Sequence, residues 1–308
     1  MPTDRILYSP ITTRPKLIWP GGARLALWLV PNLEHYEYMP SPVRLRDPWP
    51  RMPHPDVLGY SMCDYGSRVG FWRMLDVIDR YAFPCTVSLN LAVYEHFPAI
   101  RDACEARGWD TLCHGVYNTQ YHWDLTEDEE RTIIADCVAT WRRYSGREIK
   151  GWLSPANTNT VNTPDLLAEA GILYYCDWFH DDQPFPMRVR SGRLITMPYS
   201  MDLNDGWNFR GAMEAEEFAD QVIAQFDRLY EDGAVTGRVM CLPLHPFVLG
   251  QPHRIAHLDR TLKHLRSRED VWITTAGDIA DWFVANHLPA LEAHLASEQA
   301  RHERERAA

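Results

Sequence analysis

Eight apolar runs of strand length recur along the chain with helical patterns between them, and this alternation limits the possible folds more than any other feature. The runs are ARLALWLV from about 24, CTVSLNL from 85, TLCHGV from 111, IKGWLS from 149, LYYCDW from 173, LITMPYS from 194, RVMCLPLHP from 238 and VWITT from 271. Strands that read as continuous apolar runs are buried on both faces. Such strands belong to parallel sheets covered by helices. A closed barrel and an open doubly wound sheet both satisfy the pattern; helical segments between nearly all the runs favour the barrel.

The intervening helices are readable from their stripes and caps. VGFWRMLDVIDRY sets Phe71, Leu75 and Ile78 on one face. LTEDEERTIIADCVATWRRYSG has Thr126 as N-cap, acids in the first turn and Gly146 as the stop. EAEEFADQVIAQFDRLYEDG and HRIAHLDRTLKHLRSRED have the same helical period.

A length of 308 residues suits one catalytic barrel domain over 1–308. Two stretches break the rhythm. Residues 39–61 carry six prolines and read as an ordered loop, either a lid or a subunit contact, and residues 288–308 read as a charged helical tail. No run reaches the roughly 18 apolar residues of a spanning helix, and MPTDRILYSP lacks the layout of a signal peptide, so a cytoplasmic location is expected. The net charge of −11 repels phosphate backbones and anionic membranes, which argues against either as partner. Seven scattered cysteines with no CxxC pair suit reduced core thiols.

In an α/β barrel the reactive groups stand at the carboxyl ends of the strands. Glu34 and His35 follow the first run. His114, Tyr117 and Asn118 follow the third, Asn157 the fourth, Asp177 and Trp178 the fifth, Asp202 and Asn204 the sixth, and His245 the seventh. Histidines, carboxylates and amides converging on one mouth suit a hydrolysis in which one group deprotonates water and another protonates a departing nitrogen.

The order of these motifs resembles the polysaccharide deacetylase (NodB-homology) family, in its allantoinase and cyclic-imide hydrolase branch. YGSRVGFWRMLDVIDRY at 65–81 carries most of the likeness. HG at 114–115, GW at 151–152, TPDLLAEAGILYYCDWFHDDQP from 163, PYSMDLND from 198 and LHP at 244–246 add to it. The resemblance implies a deformed (β/α) barrel with seven to eight parallel strands, hydrolysis of a carbon–nitrogen bond, and a homo-oligomer.

Residue by residue, the resemblance makes Glu34 the catalytic base and His245 the general acid, oriented by Asp177. His114 would stabilise the oxyanion. The family's metal ligands would fall on His35, His114 and Asn118. An amide is a poor zinc ligand, so a site without metal is favoured, although zinc or another divalent ion remains possible, with His122 near in sequence. The family's bracing arginine is absent from LSPANTN, and Arg68 is the candidate for that place or for gripping substrate. His35, Tyr117, Asn118, Asn157, Trp178, Asp202 and Asn204 are the remaining substrate-binding candidates. The reading is therefore a hydrolase of a cyclic or small amide; a zinc-dependent saccharide N-deacetylase and a non-catalytic binding barrel are the alternatives.

Overall fold

The computed structural model describes residues 5–40 and 54–307. Most of the proline-rich stretch, 41–53, lies outside them, and so does its reading as lid or contact.

The elements follow in the order β1 (Leu25–Leu33), α1 (Val57–Tyr65), α2 (Phe71–Arg80), β2 (Thr86–Leu89), α3 (Leu91–His96), α4 (Pro98–Ala106), β3 (Asp110–Cys113) and α5 (Glu127–Ser145). Next come β4 (Gly151–Trp152), α6 (Thr163–Glu169), β5 (Tyr174–Tyr175), β6 (Phe185–Met187), β7 (Leu194–Thr196), α7 (Asp205–Asn208) and α8 (Ala215–Asp232). The chain ends with β8 (Arg238–Leu244), α9 (Ile255–Leu265), β9 (Val271–Ile273), α10 (Ala276–Asn286) and α11 (Leu288–Ala307). All eight apolar runs become strands. The sheet runs β6-β7-β5-β4-β3-β2-β1-β8, and β9 pairs with the first residues of β1.

The strands are parallel except β6, which folds back antiparallel on β7. Sequence reading missed β6: in PFPM its period is hidden by proline, which suits an edge strand. The sheet curls into a half-barrel. Its two ends meet where Val239 N of β8 donates to Asp182 O just before β6, at 2.8 Å.

Alternation along each strand sorts side chains between two cores. On β1, Leu25, Leu27, Leu29 and Leu33 pack against the helices. Ala26, Trp28 and Val30 join Leu112, Leu153, Val239 and Cys241 in the lumen. The whole of β1 is buried, as its unbroken apolar run requires. All seven cysteines are free and buried. Among the described residues no helix is long and apolar enough to cross a membrane.

Local signals hold where they were readable. Helix α5 opens with the Thr126 capping box and stops at Gly146 in the left-handed region, φ 67°. The YGSRVG motif is a π-helical turn, Gly66–Gly70, joining α1 to α2. A Cβ on Gly70 would lie 2.0 Å from Pro246 O, so the missing side chain lets this helix abut the segment after β8.

Candidate active site

The period that builds the lumen also delivers its chemistry. Continuing the even positions of β1 beyond Val30 brings Asn32, Glu34 and Tyr36 into one pocket. The lumen positions of β3 and β8 continue in the same way to His114 and His245. The pocket measures about 500 Å³. Leu58, Met62, Leu153, Ala156 and Met201 supply apolar wall, and Asn118, Tyr121, Asn157, Asn204, Trp207 and Arg210 supply polar or aromatic edges. A larger cavity, about 700 Å³, opens beside β8 and the segment from Ile6. Its Arg14 and Asp181 are spent on each other at 2.6 Å, and the cluster of titratable groups lies in the smaller pocket.

Glu34 sits between two imidazoles. Its Oε1 is 3.5 Å from His114 Nε2 and 3.3 Å from His245 Nε2. Its Oε2 is buried and has no hydrogen-bond partner. Burial opposes the charge on Glu34, but His245 and His114 overcome it and hold the carboxyl well below the usual carboxylate range. On the far side of His245, Nδ1 lies 2.6 Å from Asp205 Oδ1, and both Asp205 oxygens also accept the His245 backbone N–H. Burial would lower the His245 pKa, yet Asp205 and Glu34 push it up to about 10. At neutral pH the site is therefore a carboxylate, an imidazolium and a second carboxylate in a row.

His114 is held differently. Its Nδ1 faces Leu153 O at 2.8 Å. A carbonyl only accepts, so Nδ1 donates there, and Nε2 is turned towards Glu34 Oε1. The expected role of His114 as an oxyanion donor would fall to Nε2, which faces Glu34. The hydroxyl of Tyr36 suits it better: it accepts from Asn118 Nδ2 at 3.0 Å, which leaves its own proton free to donate into the pocket. Burial and Glu34 raise the Tyr36 pKa well above its ordinary value, so it stays a neutral donor.

Several expected positions are corrected. Asp177 does not orient His245. It accepts Ser154 N at 3.0 Å and Asn157 Nδ2 at 3.4 Å, because β5 is separated from β8 by four strands in the sheet order. The chain after β7 crosses back to β8 and brings Asp205 there; Gly206 packs so closely that a Cβ would lie 2.8 Å from His245 Cε1. Arg68 points outward, 67% exposed, and pairs with Asp64 at 2.6 Å. Among the described residues, the arginine that lines the pocket is Arg210.

His35 faces the helix side, as its odd position dictates, among the rings of His96 (4.8 Å), Tyr117 (5.7 Å) and Phe97 (5.8 Å). Burial and His96 lower its pKa to about 4. Trp178 meets His180 edge-on outside the pocket, and Asp202 lies at the larger cavity, its backbone O accepting from Asn208 and Gln221. Asn118, Asn157 and Asn204 do line the pocket; Asn204 also caps α7 through Trp207 N.

The metal-ligand set implied by the resemblance does not assemble. His35 is on the other face of its strand. The Asn118 amide is engaged by Tyr36 and by Ala156 N, while His122 is paired with Glu130 at 3.2 Å. A protonated His245 has no lone pair to give. Among the described residues no group of three or more His, Cys, Asp and Glu is arranged to hold a metal ion.

Tyr36 and Asn32 escaped the sequence reading although the signal was present: with Glu34 they form a period-2 series running out of β1. Asp205 stood inside PYSMDLND, one residue beyond Asn204, but nothing local told it from Asp202.

No protein-family model matches the chain. A protein of Schizosaccharomyces pombe described as "Putative polysaccharide deacetylase" is 26% identical over 310 residues, which cover 91% of this chain and 95% of that protein. The crystal structure of Puue allantoinase superposes with a TM-score of 0.81 at 27% identity, covering 92% of this chain and 98% of that one. The "probable Polysaccharide deacetylase" of Pseudomonas aeruginosa PAO1 superposes at 0.79 with 29% identity, covering 89% and 95%. The barrel, the motif order and these likenesses together make the chain similar, over most of its length, to polysaccharide deacetylases and to an allantoinase, hydrolases acting on carbon–nitrogen bonds other than peptide bonds.

Proposed function

We propose that this chain opens a small cyclic amide, such as a ureide, imide or hydantoin-like ring, and does so without a metal ion. The observation that carries the reading is the Asp205–His245–Glu34 row, with the unpartnered Glu34 Oε2 at the pocket wall. Entry of substrate parts the ion pair. Glu34 takes a proton from water, which attacks the ring carbonyl. His245 Nε2–H, held by Asp205, then protonates the departing nitrogen.

The Tyr36 hydroxyl donates to the oxyanion. His114, fixed by Leu153 O, holds Glu34 in place from Nε2. A pocket of about 500 Å³ with apolar walls fits a small ring better than a polymer chain. The likeness to an allantoinase over 98% of that chain points the same way.

The test is a panel of allantoin, hydantoin, succinimide and N-acetylated sugars, run with elemental analysis of the purified protein. The expected result is turnover of a ring compound by metal-poor protein, unchanged by chelator. Glu34→Gln should fold and lose at least about a hundredfold in kcat. Activity on sugars alone that disappears with chelator would overturn the reading in favour of a zinc deacetylase.

A further inference from the structure

The catalytic row leaves one buried carboxylate unused. Glu130, in the first turn of α5, is fully buried, and a buried charge persists only where donors surround it. It has them. His122 Nδ1 is 3.2 Å away, Thr160 Oγ1 donates at 2.5 Å, and Thr163 Oγ1 donates as well. His122 comes from the loop after β3, Thr160 from the loop after β4 and Thr163 from the first position of α6, where that loop ends.

The same two loops are stitched twice more. His122 N donates to Thr158 Oγ1 at 2.9 Å, and Ala156 N donates to Asn118 Oδ1 at 3.2 Å. Between those stitches the backbone is strained. Ala156 and Asn157 both sit in the left-handed region, at φ 52° and 55°, where non-glycine residues persist only if their surroundings hold them. Both residues line the pocket, with Asn118 and Tyr121 from the other loop.

We propose that Glu130 is a positioning residue: with His122, Thr160 and Thr163 it clamps the loops after β3 and β4, holding the strained Ala156–Asn157 turn and Asn118 in the shape that receives substrate. The inference deepens the reaction assigned above and rests on this pocket being its site. The clamp touches neither Glu34 nor His245, so its loss acts on substrate binding rather than on proton transfer. Burial opposes the Glu130 charge, but His122 and the two threonines hold its pKa below the ordinary value, in keeping with a carboxylate that stays ionised.

Glu130→Gln keeps the size but cannot accept from all three donors. Hydrogen exchange should quicken about tenfold in 117–123 and 154–160 while β1 and β8 stay protected. For the panel compound the wild type turns over best, KM should rise about tenfold with kcat within about threefold. Thr160→Val should move both in the same direction by less. Unchanged exchange, a uniform rise across the chain, or local loosening with KM unaltered would overturn the clamp. Should the wild type turn over no panel compound, the assigned reaction fails and the exchange pattern alone decides the clamp: confined loosening supports it, and its absence overturns it.

Discussion

Two histidines approach the same carboxylate oxygen, at 3.5 and 3.3 Å, and they differ in what stands behind them. His114 rests on the Leu153 carbonyl, a neutral acceptor that fixes a tautomer. His245 rests on Asp205, a buried carboxylate that fixes a charge. Equal distance to Glu34 therefore does not mean equal chemistry. The group behind the ring decides whether the ring is held as a proton donor, as Asp205 holds His245.

The sharpest way to break this comparison is to remove each ring. His245→Gln should lower kcat/KM by about a thousandfold, within the range for a lost general acid, and His114→Gln by roughly tenfold. Steady-state kinetics on one ring substrate checks both, and a reversed order would exchange their roles.

The next effect concerns the groups behind the rings. Asp205→Asn should cost about a hundredfold, whereas Asp177→Asn should cost less than about threefold, because Asp177 braces Ser154 rather than a ring. The pH dependence should shift as well. The pKa of His245 is raised, so its acid form and its contribution to stability are fully present below the ordinary histidine value and are lost as pH rises through about 10. The pKa of Glu34 is lowered, so its contribution is present above the ordinary carboxylate value and is lost only in strong acid. The wild-type kcat/KM profile should thus be flat across neutral pH with a basic limb near 10. In Asp205→Asn that limb should move towards neutrality.

A smaller effect tests the donor assigned to the oxyanion. Tyr36→Phe should lower kcat by about tenfold to a hundredfold with KM little changed, the range for a single lost donor at the modest end. Retention of full kcat would pass that role to another group.

Much of this was legible in the residues. Both-face burial wrote β1 and β8 as unbroken apolar runs, and reading the polar residues just beyond β1, β3 and β8 singled out Glu34, His114 and His245 from the sequence. Two kinds of error remained. Treating Glu34 and His35 as neighbours in function ignored the strand period, which sends adjacent side chains to opposite faces and buries His35 among rings on the helix side. Naming Asp177 as the orienting carboxylate followed the resemblance, when the contact depends on where the chain after β7 crosses the barrel and brings Asp205 to His245. That crossing is a tertiary fact with no local signal. Arg68 shows a related limit: its motif is specific because Gly70 must pass close to Pro246, and the arginine within it faces solvent.

The claim beneath the whole account is that His245 is an imidazolium in the resting protein. Nitrogen-resolved NMR of the histidine side chains, assigned with His245→Gln and followed from pH 6 to 11, tests it without any substrate. The expected result is a His245 ring protonated on both nitrogens through pH 8 that titrates near 10. A His245 that is already neutral at pH 7.5 would contradict the account.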